Sequence, residues 1–326
     1  MAAVVPITAP AYEMNEAALP TPDTLAFNME HTLPPGADGV NLKYMDTAPG
    51  STKHDGNNTV ILNHGMMSNT INSYGDINGV IMSLHQLGFR VIGMDFRGHG
   101  SSDKPTDPAL YGENLVTDVK RLVDHLKLDK FHIAGYSAGS ETAIAFTVKY
   151  PEHVLSLTTG GSAWSHEGLY REILSVGNIC ANPFVKCCYM CCDIGYLLKP
   201  SPMPYAHGQN IKMNPQDKFH LASMAAFSKA GGGTANAWTL TEEQMRNINV
   251  PMFSIFGTKD PEIVNGRRME GVVPNLARVE VPGLDHEKTF GTDPEGAKQL
   301  RQHWCWHLIH CRELNRAGPL TEEMER

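Results

Sequence analysis

At 326 residues, 41% hydrophobic and 19% charged, the chain has the composition of a globular protein long enough for one large core with a smaller appended unit. A net charge of −8 argues against a nucleic-acid-binding surface and gives no reason for attraction to anionic lipid. No run of about 18 apolar residues occurs, so no membrane span is expected.

Residues 1–30 are rich in Ala, Pro and Thr without periodicity and read as a flexible arm. Their start, Met1 to Tyr12, lacks a basic residue and carries Pro6 and Pro10. That is a poor secretory signal, so a cytoplasmic location is expected. Two short strands from Phe27 to Thr47 flank the turn Pro34–Gly39, and a polar loop follows. The strand Thr59 to Asn63 ends at His64-Gly65-Met66-Met67. Ile77, Val80, Ile81 and Leu84 predict a helix over Asp76–Leu87, stopped by Gly88. A strand, Phe89 to Met94, then runs into Asp95-Phe96-Arg97-Gly98-His99-Gly100-Ser101-Ser102.

The spacing of Leu115, Val119, Leu122, Val123 and Leu126 predicts an amphipathic helix over Tyr111–Leu126. Next come the strand Phe131–Ala134, a turn, the helix Thr142–Tyr150 and the strand Val154–Thr159. Residues 164–245 break the alternation with helical, Cys- and Met-rich segments and read as an inserted helical cap. Alternation resumes with strands Met252–Phe256 and Ala277–Val281 and a long helix, Pro294 to Asn315. Strands alternating with helices predict an α/β core of residues 31–163 and 246–316, built on a mostly parallel sheet covered on both faces, with residues 317–326 as a solvated tail.

Gly135-Tyr136-Ser137-Ala138-Gly139 falls between a strand and a helix. In that context G-x-S-x-G is a sharp turn that lifts the serine hydroxyl clear of the sheet. Small residues two before and two after the serine let strand and helix approach. A serine hydroxyl is a weak nucleophile and needs a base, an orienting acid and an oxyanion site. Fifteen histidines are present, so position selects the base: His286 follows the last strand, on a loop at its C-terminal end. Asp260, directly after the preceding strand, is placed to accept the imidazole Nδ1–H; Asp285 is a weaker rival. The backbone N–H groups of Ala138 and Met66 are the oxyanion donors, with Gly65 permitting close approach and His64 supporting the loop.

These segments resemble the α/β-hydrolase fold superfamily, in a branch with an HG oxyanion loop and a D-x-R-G-x-G-x-S segment, from about Gly39 to Ile309. The resemblance implies that Asp95, Arg97 and His99 are structural. Ser140 stands where relatives often place a second glycine, and Met66-Met67 replaces a glycine run, which suggests an apolar acyl pocket. A serine at position 137 argues against the epoxide-hydrolase and haloalkane-dehalogenase branches, which use aspartate.

The expected activity is that of a serine hydrolase (an esterase or lactonase) cleaving a carboxylic ester or lactone through an acyl-enzyme, with no metal or organic cofactor. Met67, Tyr136, Trp164 and Trp238 are candidate substrate contacts. An acyltransferase, a C–C bond hydrolase, a perhydrolase or a non-catalytic small-molecule receptor remain alternatives, and the oligomeric state is open. Seven cysteines, five of them within Cys180–Cys192, suit a reducing compartment better than a disulfide framework. The cluster reads as small apolar cap residues, with zinc binding, redox pairing and lipidation as alternatives.

Overall fold

The strand Thr59–Asn63 (β3) shows why this sequence builds a buried sheet. All five of its residues are buried, because both faces of a parallel strand are covered and its side chains cannot alternate with water. A computed structural model of the protein describes residues 29–48, 56–66, 68–164 and 238–317. Eight strands form one sheet: His31–Leu33 (β1), Leu42–Asp46 (β2), β3, Arg90–Met94 (β4), Phe131–Tyr136 (β5), Val154–Gly160 (β6), Met252–Gly257 (β7) and Leu276–Val281 (β8). Their order is β1-β2-β4-β3-β5-β6-β7-β8. β1 pairs antiparallel with β2 and β2 antiparallel with β4. All later pairings are parallel.

The chain winds outward from β3 to β4, then crosses back to β5 on the other side of β3. A reversal of this kind opens a crevice beyond the carboxyl ends of the two flanking strands. His64-Gly65 leaves the end of β3 and Ser137 the end of β5, so both edges of the crevice carry candidate site residues.

Helices Val80–Gln86 (α1), Asn114–His125 (α2), Ala138–Lys149 (α3), Glu242–Arg246 (α4), Ile263–Arg268 (α5) and Pro294–Ala317 (α6) complete the described fold. One face of the sheet sets Ile61, Ile133 and Leu157 against Leu115, Val119, Leu122, Ile144 and Phe146. The other sets Val60, Leu62, Phe253 and Ile255 against Val80, Leu84, Leu300, Trp304 and Leu308. Burying each such side chain contributes about 1.5–3 kcal/mol relative to exposure, so the layers hold the strand ends rigidly in register.

The strand boundaries predicted from the sequence hold to within a few residues. The helix expected over Asp76–Leu87 is divided instead: a π-helical segment, Ile71–Ile77, ends before Gly79, whose φ of +67° interrupts the path ahead of α1. Helix α3 begins at Ala138, earlier than expected, because the turn at Ser137 feeds straight into it. The short helix α5 had no periodic signal. Helix α4 is announced by a capping box, Thr241 to Gln244, that periodicity alone passes over. Residues 165–237, which hold most of the expected cap, the Cys180–Cys192 cluster and Gly231-Gly232-Gly233, lie outside the described residues. So do Met67, nearly all of the arm and the tail beyond residue 317. Among the described residues no helix is long and apolar enough to cross a membrane.

Candidate active site

Ser137 has φ +55° and ψ −127°, a conformation that non-glycine residues rarely adopt. Such strain costs about 1–3 kcal/mol and persists only where the surroundings over-determine it. They do so here. The Ser137 N–H donates to Gly160 O at 2.8 Å, and Ser140 N–H donates to Ser137 O at 2.8 Å. A Cβ at Gly135 would lie 2.2 Å from Gly139 O, and one at Gly139 would lie 1.9 Å from Asn63 O. The two outer glycines are therefore required by backbone contact. The Ser140 hydroxyl sits between the carbonyl oxygens of Gly135 at 2.7 Å and Gly160 at 2.8 Å, and accepts from Gly160 N–H at 3.0 Å. A residue expected only to be tolerated thus stitches the turn to β6.

His286 Nδ1 donates to Asp260 Oδ2 at 2.9 Å. The other carboxylate oxygen accepts from Glu262 N–H at 2.9 Å, and Asp260 is only 1% exposed. Asp285 accepts instead from Lys288 N–H and caps the turn that follows. With Nδ1 engaged, Nε2 is the ring's remaining nitrogen for proton exchange. Burial disfavours the imidazolium, but the Asp260 hydrogen bond and charge, reinforced by Glu287 and Glu262, outweigh it and hold the pKa above the ordinary histidine value. The Tyr136 ring lies 5.3 Å from the His286 ring, setting the histidine beside the nucleophile's chain neighbour. Among the described residues no hydrogen bond reaches Ser137 Oγ; catalytic contacts are often loose without substrate.

The oxyanion loop lies against the nucleophile, since a Cβ at Gly65 would be 3.4 Å from Ser137 Cβ. His64 is fully buried, donates through Nδ1 to Gly65 O at 2.7 Å and accepts from Phe96 N–H at Nε2, 2.9 Å away. Burial pushes its pKa down to about 4, so the ring is a neutral strut, as the sequence suggested. Ala138 is buried at the start of α3, whereas Met66 is 47% exposed. Tyr74, which the sequence reading passed over, is fully buried beneath both loops. Its hydroxyl donates to Asn63 O at 2.6 Å and faces the Tyr136 N–H.

Asp95, Arg97 and His99 are buried, with His99 Nδ1 3.1 Å from Arg97 O. Asp95 accepts from Thr70 N–H at 2.9 Å and Ser101 N–H at 2.8 Å. Arg97 makes a buried two-pronged pair with Asp118, at 2.6 and 2.7 Å, and a further bridge to Asp38. Trp164 and Trp238, expected as substrate contacts, are each 4% exposed and packed in the core. Their indole N–H groups donate to Leu240 O at 2.7 Å and Thr142 Oγ1 at 3.1 Å. Tyr136 is buried, with its hydroxyl on His286 O at 2.8 Å. Met67 lies outside the described residues. Among the described residues no group of three His, Cys, Asp or Glu is arranged to hold a metal ion.

Comparison with known proteins bears on the fold. A family model described as alpha/beta hydrolase fold matches residues 58–172. The 2-hydroxy-6-oxononadienedioate/2-hydroxy-6-oxononatrienedioate hydrolase 1 of Pseudomonas putida is 36% identical over 125 residues, 38% of this chain. That match spans 41% of the relative's length, about two-fifths. Among solved structures, a carboxylesterase of the thaumarchaeon Nitrososphaera gargenis superposes with a TM-score of 0.59 at 17% identity, covering 86% of this chain and 99% of that one. A meta-cleavage product hydrolase from Pseudomonas fluorescens IP01 superposes with a TM-score of 0.58 at 17% identity, covering 86% and 98%. At such identities the likeness establishes the fold.

Proposed function

The chain belongs to the α/β-hydrolase superfamily, and within it we propose a serine hydrolase that cleaves a carboxylic ester or lactone of an apolar small molecule. The observation that carries this reading is the bonded Asp260–His286 pair on adjoining strand-end loops, beside a strained Ser137 at the crevice between β3 and β5. Ser137 Oγ attacks the carbonyl carbon while His286 Nε2 takes its proton. Asp260 fixes the tautomer and stabilises the imidazolium. The developing oxyanion is received by the Met66 and Ala138 N–H groups, a contribution of several kcal/mol in the transition state. His286 then protonates the departing alkoxide, leaving an acyl-Ser137. Water, deprotonated by the same imidazole, releases the acid.

A second reading keeps these residues and changes the bond. The Pseudomonas putida relative is a 2-hydroxy-6-oxononadienedioate hydrolase, and cleavage of a carbon–carbon bond beside a ketone also needs an activated nucleophile, an oxyanion site and a proton for the leaving carbon. Turnover of p-nitrophenyl esters from acetyl to palmitoyl, run beside 2-hydroxy-6-oxononadienedioate, separates the two. In the ester reading Ser137→Ala lowers kcat on esters by several orders of magnitude. Serine-dependent turnover of the dienedioate alone transfers the assignment to carbon–carbon cleavage. Stoichiometric binding without turnover of either points to a receptor.

A further inference from the structure

The residue preceding the nucleophile does more than fill space. The Tyr136 hydroxyl donates to the backbone oxygen of His286 at 2.8 Å, and its ring packs 5.3 Å from the imidazole and 4.7 Å from Phe290. The end of β6 is shaped around that ring. A Cβ at Gly160 would lie 2.8 Å from Tyr136 Cδ2, and one at Gly161 would lie 2.4 Å from Cε1. Gly161 also has φ +64°. Consecutive glycines thus leave the room that the Tyr136 ring occupies, with its hydroxyl on the histidine loop.

The same hydroxyl meets the Thr289 side chain, and Asn78 Nδ2 donates to Phe290 O at 3.2 Å at the far end of the loop. Lys259 N–H donates to Leu284 O at 2.9 Å, and Gly283 N–H donates to Thr258 Oγ1 at 2.8 Å. Both bonds run to the segment that carries Asp260 but end at Gly283 and Leu284, so they tie the two loops together short of His286 itself. The Tyr136 bond runs instead to β5, which carries Ser137. We propose that Tyr136 is a positioning residue: its hydroxyl registers His286 against both Ser137 and Asp260 by anchoring the histidine's own carbonyl. This inference rests on the serine-hydrolase reading for its catalytic consequence, while the tether itself can be tested without it.

Geometry of this kind matters because a displacement of about 1 Å at a reacting group can cost on the order of a hundredfold in rate. Losing the hydroxyl also loosens the Asp260 bond, and the other carboxylates facing His286, Glu262 and Glu287, lie farther along the same loops. Burial then weighs more heavily against the imidazolium, and its midpoint falls.

Tyr136→Phe keeps the ring and removes the hydroxyl. Its effect is read in two ways on the full chain. The first is the His286 imidazole titration by NMR, with the resonance assigned through its loss in His286→Asn. The second is the labelling of Ser137 by a fluorophosphonate, in which Ser137 Oγ forms the P–O bond, fluoride departs from phosphorus and His286 takes the hydroxyl proton. The expected result is a His286 midpoint lower by roughly half a unit or more and a maximal labelling rate lower by roughly tenfold. Half-saturation should stay within about twofold. An unchanged midpoint in a folded Tyr136→Phe protein overturns the proposal, as does a slower label accompanied only by lowered thermal stability. A shifted midpoint in a chain whose Ser137 resists the probe supports the tether and overturns the hydrolase reading instead.

Discussion

His64 holds the carbonyl oxygen of its own neighbour Gly65, with Nδ1 2.7 Å away. A trans peptide is planar, so fixing the Gly65 oxygen sends the Met66 N–H the opposite way. Phe96 N–H, 2.9 Å from Nε2, fixes the tautomer that makes this possible. The histidine therefore aims the oxyanion donor without exchanging a proton. His64→Ala should lower kcat by roughly ten- to a hundredfold, below the full loss of an oxyanion donor. KM should change by less than about threefold, the signature of an interaction made in the transition state. Steady-state kinetics on the best ester check this; an unaltered kcat in the folded variant would show that the loop holds its shape unaided.

The pairing of His286 with Asp260 sets the pH dependence. The base works only as the neutral imidazole, and its pKa is held above the ordinary value of 6.5. The acid limb of kcat/KM should therefore have its midpoint above 6.5, with activity rising through it. Asp260→Asn removes the acceptor that raises this value and invites the wrong tautomer. The limb should move to lower pH and kcat should fall by roughly a thousandfold or more. A limb that stays in place in the variant would assign the titration to another group.

Much of this architecture can be read from the chain because the informative signals are local. Thr59–Asn63 is a strand in sequence and in structure, since five consecutive β-prone or apolar residues have no helical period to compete with. The serine turn is legible because Gly135 and Gly139 answer to backbone contacts one turn apart. What the sequence conceals is long-range. Ser140 looks like a small departure until Gly160, twenty residues on, brings its own N–H and carbonyl to the hydroxyl. Tyr136 looks like a pocket residue until the loop 150 residues later supplies the His286 carbonyl. Trp164 and Trp238 admit both a ligand-contact and a core reading, because a large aromatic ring has the same sequence whether it faces a substrate or the core.

Ser140 carries a stability prediction of its own. Its hydroxyl is the acceptor for Gly160 N–H and lies against two carbonyl oxygens, all buried. Ser140→Ala leaves that N–H without its partner and should destabilise the fold by about 1–3 kcal/mol. Urea unfolding followed by circular dichroism measures the difference. A change below about 0.3 kcal/mol would mean that water replaces the hydroxyl.

Acid should weaken the fold through histidines held neutral by burial, His64 and His307 above all, with His303 lowered in the same direction. Burial lowers the pKa of His64 to about 4 and that of His307, with the charges of His132 and His310 adding, to about 3. Unfolded, both titrate near 6.5. As pH falls below 6.5 the unfolded chain takes up protons that the folded chain refuses, so stability is lost down to the folded values. His286, with its raised pKa, has the opposite sign: its contribution is complete below 6.5 and fades as pH rises through the folded value. The two trends meet near neutrality, and each buried histidine costs about 1.4 kcal/mol per pH unit below its unfolded pKa. Urea midpoints at pH 7, 6 and 5 should fall progressively. His307→Gln, which cannot titrate, should reduce the slope by up to about 1.4 kcal/mol per pH unit. If the variant keeps the wild-type slope, the acid sensitivity belongs to other groups.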